Sequence, residues 1–242
     1  MKPILFLLLT AMPLWAAPKK LLFITHSAGF KHESVPTAAQ VMQELAGKTG
    51  AFELTVTADC AALNRENLKK YRAVMFYTTG ELPIDGAQKQ ALLDFMKNGG
   101  GFLGVHSATD TFYKWPDYGE LIGGYFVRHP WKQEVNVIVE DPQNPIVRFL
   151  APAFRIEDEI YVFRNFSPLR SHVLLRLDSN SVDLKKAKET RDHETTYPLA
   201  WVQNYGKGRV FYNALGHRDE VWRDERFQKM LVNGVRWAMG AK

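Results

Sequence analysis

The sequence predicts an α/β protein built on a parallel, doubly wound sheet with helices on both faces and a hairpin added near the C-terminus. Three observations carry that expectation. Short, unbroken apolar runs alternate with helical patterns from Lys20 to Val105, a βαβαβαβ order. The apolar runs close in polar residues, as strands buried on both faces do. Right-handed crossovers between such strands then distribute the helices over the two faces.

The elements follow in order. Lys20–Thr25 (KLLFIT) is a buried strand. Val35–Ala46 places Val35, Ala38, Ala39, Met42 and Leu45 on one helical face, with Ser34 before Pro36 as its start. Phe52–Thr57 alternates as a strand, Asn64–Tyr71 reads as a short helix, and Ala73–Thr78 is another buried strand. Asp85 can cap a helix over Asp85–Lys97, whose inner face carries Leu92, Leu93 and Met96. Gly99–Gly101 ends it and Gly101–Val105 is the next strand. The second half is less regular. Glu134–Val139, Phe154–Phe163 and Val173–Asp178 read as strands, and the charged 179–194 stretch as an exposed hairpin or loop. Leu199–Gln203 and Arg209–Ala214 form a hairpin around the Tyr205–Gly208 turn. Phe227–Met239 closes the chain as an amphipathic helix through Met230, Leu231, Val235 and Trp237. No repeat or linker interrupts 18–242, which reads as one domain.

Composition removes several classes. With 46% hydrophobic and 24% charged residues the chain is neither disordered, collagen-like nor a coiled coil. Its one cysteine, Cys60, has no partner for an internal disulfide, a thiolate zinc site or a redox pair. The net charge of +5 is scattered, without a basic run or an Arg/aromatic stripe, which argues against a nucleic-acid partner. Met1–Ala17 has a positive start at Lys2, an apolar stretch and small residues at its end. It reads as a secretory signal, with the protein exported from a bacterial cytoplasm to the periplasm or medium. An uncleaved anchor is the other reading, although the apolar run is shorter than the ~20 residues of a membrane span and no later segment approaches that length.

The candidate site residues are positional. His26 follows the first strand, Thr79–Gly80 the third, His106 the fourth, and His217 the last hairpin strand. Open α/β sheets bind ligands beyond the carboxyl ends of their strands. The His26-Ser-Ala-Gly-Phe30-Lys-His32 loop enters a helix N-terminus, whose free N–H groups suit an anionic or hydroxyl-rich ligand. The run from Gly99 to Asp110 is a strand-to-helix turn resembling a nucleophile elbow. Its centre is His106, which suits general acid/base work or metal ligation rather than acyl transfer. Ser107, next door, would not be aimed by such a turn. Asp110, Tyr113 and the neighbouring aromatic residues suit a sugar, whose C–H face stacks on rings while its hydroxyls hydrogen-bond; a buried anchor is the alternative. Residues 122–130 read as a glycine-punctuated loop bearing Arg128 and His129. Strand alternation places Glu157 and Glu159 on one face, where Glu159 can partner a histidine or form part of an exposed acidic edge. Trp222 follows His217 within reach, while His172 and His193 read as surface residues.

Together these segments resemble the ThuA-like family, named for trehalose utilisation. The matching pieces are H-S-A-G-F-x-H at 26–32, G-G-G-F-L-G-V-H-S-A-T-D at 99–110 and G-G-Y-F-x-x-H-P at 123–130. D-E-I-Y at 158–161 and G-K-G-R-V-F-Y-N-A-L-G-H-R at 206–218 complete the resemblance. It implies a flavodoxin-like fold similar to class I glutamine amidotransferases, with His in place of the usual elbow Cys. It also implies sugar catabolism, especially of trehalose and related glycosides handled through 3-keto intermediates. The leader departs from a cytoplasmic role of that kind.

The resulting expectation is an exported carbohydrate-active enzyme, a hydrolase or lyase of glycosides or 3-keto-glycosides. His106, Glu159 and His32 would carry acid/base or metal-assisted chemistry. His26, Phe30, Asp110, Tyr113, His129, His217 and Trp222 would line the substrate pocket. His26, His106 and His217 are the candidate ligands of a divalent metal such as Zn. The expected partner is a small carbohydrate, with a homo-oligomer left open. A non-catalytic sugar-binding module is the rival, and an amidotransferase remnant serving as an interface is a third reading.

Overall fold

The computed structural model describes residues 19–187 and 196–240. The segment 1–17, expected as a secretory signal, His193 and the end of the charged 179–194 stretch lie outside the described residues. The strands are β1 Lys20–Ile24, β2 Glu53–Thr57, β3 Ala73–Phe76, β4 Gly101–Val105 and β5 Tyr125–Val139. They continue with β6 Ala153–Arg164, β7 His172–Leu177, β8 Pro198–Tyr205 and β9 Gly208–Asn213. The helices are α1 Val35–Thr49, α2 Arg65–Leu68, α3 Gly86–Lys97, α4 Pro116–Ile122, α5 Asp219–Arg223 and α6 Glu225–Ala238.

Among the described residues all nine strands join one sheet, in the order β2-β1-β3-β4-β9-β8-β7-β5-β6. The strands from β2 to β9 run parallel, and every pairing beyond β9 is antiparallel. The parallel part matches the apolar runs: β3 and β4 are buried along their whole length, as is β1 after Lys20. Residues of this kind have no solvent face to mark with polar side chains. Asp85 caps α3 with a capping box shared with Gln88. α1, α5 and α6 pack together, while α2 packs on α3. No helix among the described residues is long and apolar enough to cross a membrane.

The expected mostly parallel, flavodoxin-like sheet therefore needs correction, because its second half is antiparallel. The largest departure is β5. Residues 125–130, expected as loop, open a strand of 15 residues that continues through 131–133 into the expected strand at Glu134–Val139. Pro130 and the charged Arg128 and Lys132 mask its alternation, and the register shifts between Phe126 and Trp131. β5 pairs with β7 only through Val137–Val139; from there back to Tyr125 it pairs with β6 alone. This two-stranded ribbon reaches the His106–Asp110 turn at the carboxyl end of β4, and β6 reaches α5. It brings residues from the far edge of the sheet to the rim where β1, β3, β4 and β9 end.

Candidate functional site

At the end of β4, His106 takes a left-handed backbone conformation, φ 45°, which is uncommon for a residue with a side chain. The next residues form a 3-10 turn through Asp110. Its carbonyl accepts the Tyr212 hydroxyl at 2.6 Å, which secures the bend. The fully buried ring has its Nδ1 2.7 Å from the Ala214 carbonyl. A carbonyl only accepts, so Nδ1 carries a proton. When the ring is neutral, Nε2 therefore presents a lone pair. One face of the ring lies on Tyr161, centroids 4.2 Å apart.

Glu159 arrives from the ribbon. It lies directly across from Lys132 in the β5–β6 register, and its Oε1 accepts from Lys132 Nζ at 2.7 Å and lies 3.4 Å from His129 Nδ1. That leaves Oε2 toward the sheet rim, 3.5 Å from His106 Nε2 and 3.3 Å from His217 Nδ1. Glu157, two residues earlier, pairs with Arg218. Asp158 points the other way into the core, where Oδ2 accepts the Gly216 N–H at 2.7 Å and Oδ1 has no partner.

His32 and His217 come from loops that distant residues hold. Thr79 Oγ1 donates to the Phe30 carbonyl and accepts from Gly29 N–H. Gly80 has φ 73°, and a Cβ there would lie 2.7 Å from Gly29 N, so the two loops meet only because this residue is glycine. Ser34, at the start of α1, leaves the helix N-terminus uncapped and donates to the His217 carbonyl at 2.8 Å. The His32 ring then stands edge-on to His106 and His217, at 4.9 and 5.3 Å. It is 4% exposed, and its Nδ1 has no hydrogen-bond partner.

The electrostatics follow from burial. Burial, with His106 and His217 nearby, lowers His32 to about 3; burial and His106 lower His217 to about 4. Both are thus neutral, lone-pair-bearing rings at pH 7. Burial opposes the charge of Glu159, but its contacts with His106 and Lys132 hold it at about 2, an anion. Burial pushes Asp158 up to about 6.

These groups surround a pocket of about 200 Å³ lined by Phe30, His32, Asp110, Phe126, His129, Lys132, Glu159, Tyr161 and His217, with His106 beneath it. A wider cleft of about 490 Å³, walled by Lys31, Arg218, Asp219 and Glu220, shares Phe30 and His217 with it. Another depression, about 240 Å³, is lined by Arg65 and Asp94, which pair with each other away from this rim.

The structure brings most of the residues expected from sequence to this one pocket, and places three elsewhere. His26 is hydrogen-bonded to no member of the cluster: its Nδ1 contacts the Ala58 carbonyl, and the residues whose ligand atoms lie within 4.8 Å of one another are His32, His106, Glu159 and His217. Tyr113 is a support, its hydroxyl donating to Asp110 at 2.6 Å and reaching the Phe126 carbonyl. Trp222 is fully buried, stacked on Tyr77 with its indole N–H on the Gly216 carbonyl. His172, read as surface, is exposed and pairs with Asp141. Lys132, Phe126 and Tyr161 were missed. Tyr161 was legible as the i+2 neighbour of Glu159 on one strand face; Phe126 lies in the stretch of β5 that reads as loop, and Lys132 between that loop and the strand expected at Glu134.

A family model described as ThuA, trehalose utilisation, matches residues 20–238. Among solved structures, the chain is similar to a ThuA-like protein from Bacteroides uniformis ATCC 8492, with 26% identity, TM-score 0.71 and 92% of each chain covered. A ThuA-like protein from Parabacteroides merdae ATCC 43184 shares the fold at 20% identity and TM-score 0.74, over 92% of this chain and 90% of that one. The β-galactosidase from Rahnella sp. R3 shares the fold alone, at 14% identity and TM-score 0.57, over 93% of this chain and 32% of that one. No curated protein matches the chain.

Proposed function

Because the chain belongs to the ThuA family, described as trehalose utilisation, we propose that it is an exported carbohydrate-active enzyme, a hydrolase or lyase of glycosides or 3-keto-glycosides. Export rests on the leader-like sequence of residues 1–17. The observation that carries the chemistry is the aim of His106: a strained turn holds the ring, Ala214 sets its tautomer, and Nε2 faces Glu159 Oε2 beneath a concave pocket. Phe30, Phe126 and Tyr161 offer apolar faces to a sugar, while Asp110, His129 and Lys132 offer hydrogen bonds. The pocket is smaller than the roughly 300–1,000 Å³ used by drug-sized ligands, which suits a single ring. The adjoining cleft has room for the group attached to it.

A 3-keto-glycoside matches this centre because its carbonyl acidifies the C–H at position 2. Removal of that proton pushes the electron pair toward C1, the glycosidic C–O bond breaks, and the leaving oxygen takes up a proton. Water addition to the resulting enone completes hydrolysis; stopping earlier gives a lyase. The His106–Glu159 centre supplies the base, directly or with metal assistance, and His32 borders the same space.

The test is turnover of native and 3-keto glycosides by the mature protein and by His106→Ala. The proposal expects activity that His106→Ala abolishes. A non-catalytic sugar-binding module, favoured by the 64% exposure of Phe30 at the pocket mouth, would instead bind glycosides, convert none, and lose affinity in the variant.

A further inference from the structure

We propose that His106 Nε2, His217 Nδ1 and Glu159 Oε2, with His32 closing the fourth side, form a site for one divalent transition-metal ion of the zinc type. This deepens the preceding reading, since it names what the pocket's centre holds, but its evidence is separate. The three atoms form a nearly equilateral triangle with sides of 3.3, 3.3 and 3.5 Å. A tetrahedral zinc with bonds near 2.1 Å has ligand–ligand edges of about 3.4 Å. The triangle therefore matches one face of that polyhedron. One ligand atom from each of the four residues lies within 4.8 Å of the others, and His32 reaches this group buried, with an unpartnered Nδ1.

The surroundings orient the ligands as metal sites require. The Ala214 carbonyl holds the proton of His106 on Nδ1 and so frees Nε2. Lys132 and His129 engage Oε1 of Glu159 and leave Oε2 to face the triangle. Such outer partners fix ring orientation and ligand basicity. Three imidazoles and one carboxylate, with no thiolate, favour Zn²⁺, Co²⁺ or Ni²⁺ over Mg²⁺ or Ca²⁺, which take all-oxygen sites. A hydrogen bond from His217 Nδ1 shared between His106 and Glu159 would also bring these atoms together. It would give the buried His32 no part, whereas a cation draws on all four residues. Bound there, the ion would act as a Lewis acid toward a carbonyl or hydroxyl oxygen of a sugar in the pocket.

The experiment uses the untagged full chain, stripped with chelator and titrated with Co²⁺ while visible absorption is followed, then with Zn²⁺ by calorimetry. The expected result is one ion per chain with the intense absorption of tetrahedral cobalt. Glu159→Gln and His217→Ala should weaken binding by about 100-fold or more, since even outer-shell changes cost 10–100-fold. His26→Ala should bind as the native chain does. Circular dichroism of each variant checks that it is folded. No stoichiometric uptake, or uptake undiminished in folded Glu159→Gln and His217→Ala, overturns the site. Stoichiometric binding without turnover of any glycoside keeps the site and defeats the enzymatic reading. Full turnover by stripped protein that takes up no metal does the reverse.

Discussion

Asp158→Asn should make the protein more stable at neutral pH and leave it almost unchanged in acid. The carboxyl is 1% exposed, one oxygen accepts the Gly216 N–H at 2.7 Å, and the other has no partner. Burial raises its pKa from 3.8 to about 6. A raised folded-state value means that folding favours the protonated acid. Its contribution to stability is complete below the unfolded value near 3.8, and is lost as pH rises through 6. A shift of about two units corresponds to about 3 kcal/mol, at 1.36 kcal/mol per unit. Asparagine keeps an acceptor for Gly216 and carries no charge to bury. Relative to the native chain, the variant should therefore gain about 3 kcal/mol between pH 4 and pH 8, with most of the gain between pH 4 and 6.5. His32, whose shift owes nothing to Asp158, moves both proteins together and cancels in the difference. Urea unfolding of both chains across that range, with chelator present, gives the measurement. A difference that stays constant with pH, or that shifts toward the native chain as pH rises, would refute the reasoning.

Two further expectations concern the scaffold of the site. His106→Gly should be more stable than His106→Ala by about 0.5–1 kcal/mol, because glycine is unstrained at φ 45° and both variants lose the same ring; denaturant midpoints in the opposite order would show that the turn stores no strain. Trp222→Ala should cost about 3–5 kcal/mol, the usual loss for a buried aromatic, since the indole fills the space against Tyr77 and Phe227 and secures the Gly216 carbonyl beside His217. A thermal midpoint within a degree or two of the native chain would contradict that supporting role.

Much of the fold was legible because its parallel strands carry their environment in their own residues. Leu21–Ile24, Ala73–Phe76 and Gly101–Val105 are apolar on both faces because both faces are covered, and the Asp85 capping box is written in four consecutive residues. The antiparallel ribbon was not legible in this way. Pro130, Arg128 and the register shifts of β5 erase the alternation that identifies a half-buried strand, and a ribbon paired on one side needs no continuous apolar run. The site divides along the same line. His106 and His217 declare themselves by following strands, and Glu159 by its alternation with Glu157. Lys132 lies between the expected loop at 122–130 and the expected strand at Glu134–Val139, so no local pattern announces its cross-strand pairing with Glu159.

What the sequence determined by itself is which segments are buried and which strand ends carry imidazoles, since both are set by residues a few positions apart. Only the tertiary structure decided which imidazoles meet. His26 turns to the carbonyl of Ala58 and His32 to His106 because Thr79, Gly80 and Ser34 hold the loop from positions distant in the chain or at its far end. A ring's direction depends on such long-range hydrogen bonds and close backbone approaches, which no local periodicity records.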